Sequence, residues 1–317
     1  MELISVVVPC YNEEEVIKET HSRLAREVEK IAINFNVNYE IIYVNDGSKD
    51  KTLQILQSLK NIHPIGSGNV VIISLAKNFG HQTALTAGLN FAKGDAIISI
   101  DADLQDPPEV IEEMMKKWKE GMDVVYGVRT SREGETWFKL MTAKLFYIIV
   151  RKITKFDIPL NAGDFRLISK RALEVFKSMP ERNRFIRGMI PWIGLNQIPI
   201  YYERASRFAG TTKYPFSKML KLALDGIVGF SNSPLKTAYY VGFVIALLSF
   251  AYGIFIIFYS LLKGFPVHGW SSIMVTILFT GGVQLITVGI LGEYIGRIYD
   301  EVKKRPLYII DEQESRF

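Results

Sequence analysis

Closely spaced acidic residues are the strongest sign of chemistry in this sequence. Asp101 and Asp103 follow the apolar run at 97–100, and Gln105 comes two residues later. Two carboxylates at positions i and i+2 repel each other in a crevice unless a cation joins them. Mg²⁺ takes oxygen ligands from such carboxylates and from substrate phosphates. The pattern therefore indicates a divalent-metal site at Asp101, Asp103 and Gln105, although D-x-D pairs also occur on ordinary protein surfaces.

The elements that must position these residues follow from the apolar pattern. Apolar runs of strand length are followed by polar clusters at 9–13, 45–48, 77–81, 101–107 and 127–129. Helical patterns lie between the runs, at 13–30, 52–59, 81–92 and 107–118, and Asp106 is the expected N-cap of the last helix. Continuous apolar strands that alternate with helices predict an α/β fold with a doubly wound, mostly parallel sheet. Because ligands bind such sheets beyond the carboxyl ends of strands, the clusters are expected to rim one crevice.

Several classes of protein are disfavoured by what the sequence lacks. No G-x-G-x-x-G motif follows the first strand, and neither a P-loop nor an H-E-x-x-H motif is present. Cys10 is the one cysteine, which excludes an intrachain disulfide and any multi-cysteine metal centre. The net charge of +5 on 317 residues is mild and gives no indication of a nucleic-acid partner.

The C-terminal part of the chain reads as a membrane hairpin. No charged residue occurs at 237–262 or at 271–291, and about 20 apolar residues suffice to cross a bilayer. We therefore predict transmembrane helices at about 235–262 and 270–293, with a pair of buried core helices as the alternative. Basic residues before the first span and after the second outnumber those of the loop, where Lys263 stands alone, so both termini are expected in the cytoplasm. Residues 1–230 then form a cytoplasmic domain and 297–317 a cytoplasmic tail.

Two further segments mix aromatic and aliphatic residues with lysine and arginine. They lie at about 137–156 and 215–230. Basic amphipathic helices of this kind lie in the headgroup layer of a membrane. We predict interfacial helices here; the alternative is ordinary surface helices packed on their own domain.

Four strings, in this order, are similar to the motifs of a known family. They are VPCYNEE at 8–14, VNDGSKD at 44–50, NFGHQ at 78–82 and DADLQDPP at 101–108. They resemble family 2 inverting glycosyltransferases, and nearly the whole chain resembles the polyprenyl-phosphate enzymes of the bactoprenol glucosyl transferase and dolichol-phosphate mannose synthase types. The resemblance implies a GT-A-type, Rossmann-like catalytic domain with a C-terminal membrane hairpin, located in the inner or plasma membrane. It also implies a homo-oligomer, most simply a tetramer.

The resemblance also implies roles for individual residues. Those matched to donor binding are Pro9, Tyr11, Asn12, Glu13, Asp46, Lys77, Asp101, Ala102, Arg129, Arg207 and Lys213. Asp103 and Gln105 match metal ligands, with Asp101 close by, and the implied catalytic residues are Asp103, Asp164 and Arg207. Asp164 matches an acidic residue beside the acceptor phosphate, where it either takes a proton or positions the nucleophile. Residue chemistry alone leaves alternatives: a turn role for Asp46, a solvated lysine at Lys77, and a cap or an ion-pair partner of Arg166 for Asp164.

The reaction implied is inverting transfer of a sugar from a nucleotide-sugar to a polyprenyl phosphate, such as undecaprenyl or dolichyl phosphate, with Mg²⁺ or Mn²⁺. UDP-glucose is the favoured donor; GDP-mannose, UDP-N-acetylglucosamine and an aminoarabinose donor are the alternatives. A non-catalytic membrane scaffold that retains a nucleotide-binding fold is the alternative of a different class.

Overall fold

The computed structural model describes residues 1–62, 68–130, 162–203, 228, 231–263 and 269–316. The chain divides into two compact units: one comprises Met1–Gly226 with Arg305–Phe317, and the other comprises Ile227–Lys304. The interfacial helices predicted at 137–156 and 215–230 lie outside the described residues, apart from residue 228. Arg207 and Lys213 also lie outside them.

The first unit is built on a seven-stranded sheet of order β3-β2-β1-β4-β6-β5-β7. The strands are β1 Leu3–Cys10, β2 Asn38–Asn45, β3 Gly68–Ser74, β4 Ala96–Ser99, β5 Val124–Arg129, β6 Ala162–Ser169 and β7 Gln197–Tyr202. The helices are α1 Ile17–Phe35, α2 Thr52–Ile62, α3 His81–Phe91, α4 Val110–Lys119, α5 Lys170–Ser178 and α6 Ile186–Trp192. The doubly wound, mostly parallel sheet predicted from the sequence is confirmed.

Burial of the strands explains this architecture. Val6, Val7 and Val8 of β1 are each fully buried, so successive side chains on both faces of the strand are covered. A strand covered on both faces by helices takes a continuous apolar sequence, and parallel pairing follows from the helical crossovers. The strands β1, β2, β3 and β4 pair in parallel in this way.

One strand breaks the parallel pattern and places an acidic residue. β6 pairs antiparallel with both β4 and β5, with Ser99 opposite Arg166. Because β6 runs in the opposite direction, its start lies beside the carboxyl end of β4. Asp164 therefore comes next to the Asp101 segment, and the Ser99 hydroxyl donates to the Asp164 carbonyl at 2.5 Å.

The end of the chain covers the outer edge of the sheet. β3 is the edge strand, and Ile72 exchanges two backbone hydrogen bonds with Arg316 at 2.8 and 2.7 Å. The Asp311 N–H donates to the Ser74 carbonyl, and the Ala76 N–H donates to the carbonyl of Ile309. Within the segment 297–317, which the sequence predicts to be a cytoplasmic tail, the residues from Arg305 onward belong to the first unit.

The second unit contains two long helices, α7 Ser233–Lys263 and α8 Trp270–Lys303. Within them, Ser233–Phe255 and Val275–Lys303 are long and apolar enough to cross a membrane, each with a mean hydropathy of 1.8. α8 continues about three turns beyond the predicted end at residue 293. Its Tyr294 hydroxyl donates to the Ser231 carbonyl at 2.7 Å, which links α8 to the residues just before α7.

The N-cap prediction for Asp106 is wrong. α4 begins at Val110, and its N-cap position is Glu109, which makes no side-chain capping bond. Asp106 is instead fully buried and accepts a hydrogen bond from the Tyr202 hydroxyl at 2.5 Å. The Asp106 carboxylate thus bonds to a residue 96 positions away in the chain and does not cap α4.

Candidate active site

A network of charged side chains lies at the carboxyl end of β4. His81 stands between two carboxylates, with its Nε2 atom 3.2 Å from Asp164 Oδ2 and 3.6 Å from Asp101 Oδ1. Arg187 holds Asp164 through two bonds, Nε to Oδ1 at 3.0 Å and Nη2 to Oδ2 at 2.9 Å. The network thus connects the predicted metal-binding segment to the predicted acceptor-side acid.

Each member of the network comes from a different element. His81 is the first residue of α3, Asp164 lies on β6, and Arg187 is on α6. Gln82 joins these elements, because its amide donates to Asp164 at 3.3 Å and its carbonyl accepts from the Ile186 N–H at 2.9 Å. The antiparallel course of β6 brings the group together.

The charges in this network reinforce one another. Burial alone would raise the pKa of Asp164, but the ion pair with Arg187 and the hydrogen bond to His81 outweigh it and hold that pKa well below its usual value. Desolvation opposes a charge on His81, but the carboxylates of Asp101 and Asp164 outweigh it and raise the pKa of His81 to about 9. Asp164 is therefore ionised at neutral pH and is a weak proton acceptor.

The Asp101 carboxylate has the opposite environment. Desolvation, together with repulsion from Asp106, Asp164 and Asp103, outweighs the attraction of His81 and raises the pKa of Asp101 to about 6. A carboxylate crowded by other carboxylates is relieved by a bound cation. This environment fits a divalent ion near Asp101 and Asp103.

The candidate metal ligands themselves lie in a tight turn. Leu104 adopts a left-handed backbone with φ 57°, and the Gln105 N–H donates to Asp103 Oδ1 at 3.2 Å. Among the described residues, no group of three or more histidine, cysteine, aspartate or glutamate side chains could hold a metal ion. Two carboxylates and one amide would leave several positions of an octahedral ion to substrate phosphates and water, as Mg²⁺ sites commonly do.

Asp46 fixes the loop between β3 and α3. Its carboxylate is buried and accepts from the Phe79 N–H at 2.7 Å, the Gly80 N–H at 2.9 Å and the Asn78 side-chain amide at 3.0 Å. Since His81 follows directly, Asp46 anchors the segment that presents His81 to the network. Contact with a nucleobase stays a prediction for this residue.

Gly47, next to Asp46, allows the loop between β3 and α3 to pack closely against the turn that follows β2. It has φ +61°, and a Cβ atom there would lie 2.4 Å from the carbonyl carbon of Lys77 and 2.5 Å from the nitrogen of Asn78. Only glycine accommodates both the left-handed backbone and the contact with a neighbouring peptide.

The first predicted donor-binding cluster is tied to the second by hydrogen bonds. The Asn12 N–H donates to Ser48 Oγ at 3.1 Å, the Asn12 side chain accepts from the Lys49 N–H at 2.8 Å, and the Glu13 N–H donates to Thr52 Oγ1 at 2.8 Å. Parallel pairing sets Pro9 opposite Val44. The polar ends of β1 and β2 are therefore joined by hydrogen bonds, and their role in donor binding stays a prediction.

Arg129 lies at the end of β5, in a second ion-pair group. Its Nη2 is 3.4 Å from Asp106 Oδ1, and its Nε donates to the Tyr202 hydroxyl at 3.3 Å. Burial opposes charge here, but Asp106 raises the pKa of Arg129, which stays protonated. The structure thus joins Arg129 to the acidic string, while the buried Ala102 of that string accepts from the Thr20 hydroxyl at 2.6 Å.

Two other predicted donor-binding residues, Lys77 and Tyr11, differ in their exposure. Lys77 is exposed, with its Nζ 5.1 Å from the centre of the Phe79 ring, and Tyr11 is partly buried at the end of β1. His81, Gln82 and Arg187 are site residues to which the sequence alone gives no role. His81 and Gln82 stand inside the quoted NFGHQ string, which was the available signal, whereas nothing in the local sequence marks Arg187.

Comparison with known proteins now identifies the family. The model for glycosyl transferase family 2 matches residues 5–176, and the model for the GtrB C-terminal hairpin matches residues 233–298. The chain belongs to glycosyl transferase family 2. The resemblance of the sequence motifs is thereby confirmed, and the hairpin makes this a membrane-associated member of the family.

Two curated relatives and one solved structure are similar to the chain over most of its length. The chain is 46% identical over 307 residues to the bactoprenol glucosyl transferase of Shigella phage SfII, covering 97% of each protein. It is 49% identical over 306 residues to the uncharacterized glycosyltransferase YkcC of Bacillus subtilis strain 168, covering 96% of this chain and 92% of that one. A solved mannosyltransferase, PcManGT from Pyrobaculum calidifontis in complex with GDP-Man and Mn²⁺, aligns with a TM-score of 0.46 at 15% identity, covering 96% of this chain and 88% of that one.

Proposed function

We propose that this family 2 enzyme transfers a sugar from a nucleotide-sugar to a membrane polyprenyl phosphate and inverts the anomeric centre. UDP-glucose is the proposed donor, in line with the bactoprenol glucosyl transferases to which the chain is similar. One observation carries the proposal. The same chain has the crowded Asp101 carboxylate at the carboxyl end of β4 and a GtrB-type hairpin. The first supports a donor site, and the second supports a lipid-linked acceptor.

The proposed donor site uses the carboxyl ends of β1, β2 and β4. Pro9, Tyr11, Asn12, Glu13 and Asp46 would hold the nucleoside. Asp101, Ala102 and Arg129 would contact the rest of the donor, and Arg207, Lys213 and Lys77 would contact its diphosphate. Asp101, Asp103 and Gln105 would hold Mg²⁺ or Mn²⁺, which when bound would stabilise the negative charge that develops on the departing diphosphate.

The proposed reaction needs little help from a base. An oxygen of the acceptor phosphate forms a bond to the anomeric carbon while the bond from that carbon to the diphosphate oxygen breaks, and the nucleoside diphosphate leaves with the electron pair. A phosphate monoester, with a second pKa of about 6, is already mostly ionised at neutral pH. This agrees with the weak basicity of Asp164, for which we favour positioning over proton transfer.

The proposed location is the cytoplasmic membrane, with the catalytic unit and both termini in the cytoplasm. Arg297, Lys303 and Lys304 follow the uncharged run at 271–291, whereas Lys263 stands alone in the loop. Both ends of the hairpin also connect to the same folded unit, because residues from Arg305 onward belong with residues 1–226. This supports an even number of membrane crossings. The predicted interfacial helices and tetrameric assembly stay part of the proposal.

A donor panel tests the proposed function. The full-length protein in detergent is incubated with undecaprenyl phosphate, Mn²⁺ or Mg²⁺ and each of UDP-glucose, UDP-N-acetylglucosamine, GDP-mannose and a UDP-aminoarabinose. Release of the nucleoside diphosphate and formation of a lipid-linked sugar are both measured. Transfer from UDP-glucose supports the proposal, and transfer from another donor corrects the sugar. Nucleotide binding without transfer from any donor would favour the scaffold alternative.

A further inference from the structure

Asp164 is surrounded by more donors than its carboxylate requires. Oδ2 alone lies within 3.3 Å of a nitrogen of each of three side chains, Arg187, His81 and Gln82, and Oδ1 accepts from Arg187. Arg166 brings a second guanidinium to 3.8 Å from Oδ1. A carboxylate oxygen has about two lone-pair sites, so Oδ2 is fully used and has no room to accept a proton from an incoming acceptor.

The charges in this group do not cancel. Arg187 and Arg166 each carry one positive charge and Asp164 carries one negative charge. Burial lowers the pKa of Arg166 to about 10, so that side chain is still protonated at neutral pH. Its Nε atom is buried and has no hydrogen-bond partner among the described residues. A cluster with surplus buried donors and surplus positive charge is suited to an anion.

Exposure indicates which member would meet that anion. The side chains of Asp164 and Arg166 are 3% and 5% exposed, whereas those of Arg187 and His81 are 30% and 29% exposed. A bound anion can therefore reach Arg187 and His81 but not Asp164, and of these two side chains the guanidinium offers the planar, paired donors that suit phosphate oxygens. A guanidinium held rigidly by a buried carboxylate is well prepared to bind phosphate oxygens, because its planar donors are fixed in advance.

We propose that Arg187, fixed by Asp164, binds the phosphate of the lipid acceptor, and that Asp164 acts as a positioning residue for Arg187. This rests on the proposed function. Two phosphoryl groups would enter the crevice, the donor diphosphate and the acceptor monoester. The donor diphosphate would lie at the carboxylate pair of Asp101 and Asp103, where a cation offsets the repulsion. The cation-rich side at Arg187 fits the acceptor, whose dianion needs no metal there.

Kinetics with a short, water-soluble isoprenyl phosphate test the proposal. The variants are Arg187→Lys, Arg187→Ala and Asp164→Asn in the full chain. Arg171→Ala, an exposed arginine on α5, is the matched control. We expect Arg187→Lys to raise the acceptor KM at least about ten-fold with the donor KM unchanged, because lysine lacks the paired donors that grip phosphate. Asp164→Asn should also raise the acceptor KM, whereas loss of a general base would lower kcat alone. Arg171→Ala should match the wild type.

Three results would overturn the proposal. One is an unchanged acceptor KM in Arg187→Lys. This variant keeps the positive charge, so the test still works if Arg187→Ala fails to fold. Another is a rise confined to the donor KM, which would assign Arg187 to the diphosphate. The third comes from calorimetry, which measures binding of the same isoprenyl phosphate to the Mn²⁺-loaded protein without turnover. If wild type and Arg187→Lys bind it equally, or if neither binds it, the proposal is rejected. If the wild type binds the isoprenyl phosphate and Arg187→Lys binds it more weakly, but no sugar is transferred to any lipid, the proposed function is refuted and the role of Arg187 is not.

Discussion

The contact between Gly47 and the peptide joining Lys77 to Asn78 gives a sharp prediction for Gly47→Ala. A Cβ atom at this position would stand 2.4 Å from the Lys77 carbonyl carbon, and backbone cannot yield as a flexible side chain can. The left-handed φ of +61° adds about 1–2 kcal/mol for alanine. Overpacking adds about 1–3 kcal/mol. The free energy of unfolding of the first unit should therefore fall by about 2–5 kcal/mol.

Gly121→Ala is the matched control for this substitution. Gly121 also has a positive φ, +96°, but no atom lies within 4 Å of a Cβ built there. It precedes β5 at the amino end of the sheet, away from the network at the carboxyl ends. We expect only the backbone cost of about 1–2 kcal/mol, so the difference between the two variants isolates the steric contact.

Thermal unfolding in detergent, followed by circular dichroism, measures both variants. At about 2–4 °C per kcal/mol for a unit of this size, Gly47→Ala should lower Tm of the first unit by roughly 10 °C, and Gly121→Ala by about half as much or less. Gly47→Ala should also reduce kcat/KM by up to about 100-fold, because displacing the loop misplaces His81. Equal losses of Tm in the two variants, with equal activities, would refute the steric argument.

Two other substitutions test the site, and one truncation tests the pairing of β3 with the end of the chain. Asp103→Asn should abolish metal-dependent transfer and leave Tm unchanged; wild-type turnover that persists in EDTA would contradict the metal role. Asp46→Asn should lower the unfolding free energy by about 1–3 kcal/mol, since an amide cannot accept from all three donors of its loop, and an unchanged Tm would speak against that anchoring. A stop codon after Lys304 should lower Tm of the first unit and expose β3 to protease while the hairpin still inserts into membranes; a proteolysis pattern identical to that of the wild type would show that the terminal segment does not stabilise this edge.

The sequence predicted the parallel half of the sheet because local signals suffice there. Val6, Val7 and Val8 are apolar without interruption, and the helices that follow the strands carry clear amphipathic patterns. The polar clusters could likewise be placed at one edge, since parallel strands end together. The antiparallel strand β6 was not predicted, because its pairing with β4 depends on contacts between residues far apart in the chain.

The same limit applies to the candidate site. Asp101, Asp103 and Asp164 could be selected because acidic residues in these motifs are recognisable. The way Arg187 and His81 share Asp164 could not, since His81 is 83 residues from Asp164 and the pairing depends on how α3 and α6 pack against β6. Asp106 was assigned a local role that the structure does not show. A helix cap is worth about 1 kcal/mol, and the Asp106 carboxylate instead accepts a buried hydrogen bond from Tyr202.

The pairing of β3 with the end of the chain has a consequence for biosynthesis. Ser74 and its partner Ser315 are 241 residues apart, so the ribosome releases the partner roughly ten to fifty seconds after β3 at typical elongation rates. Throughout that interval the strand offers an unprotected edge of the kind that recruits other chains. Both apolar helices must be translated first. The nascent protein therefore completes the β3 edge of its sheet only after the hairpin has emerged for delivery to the bilayer.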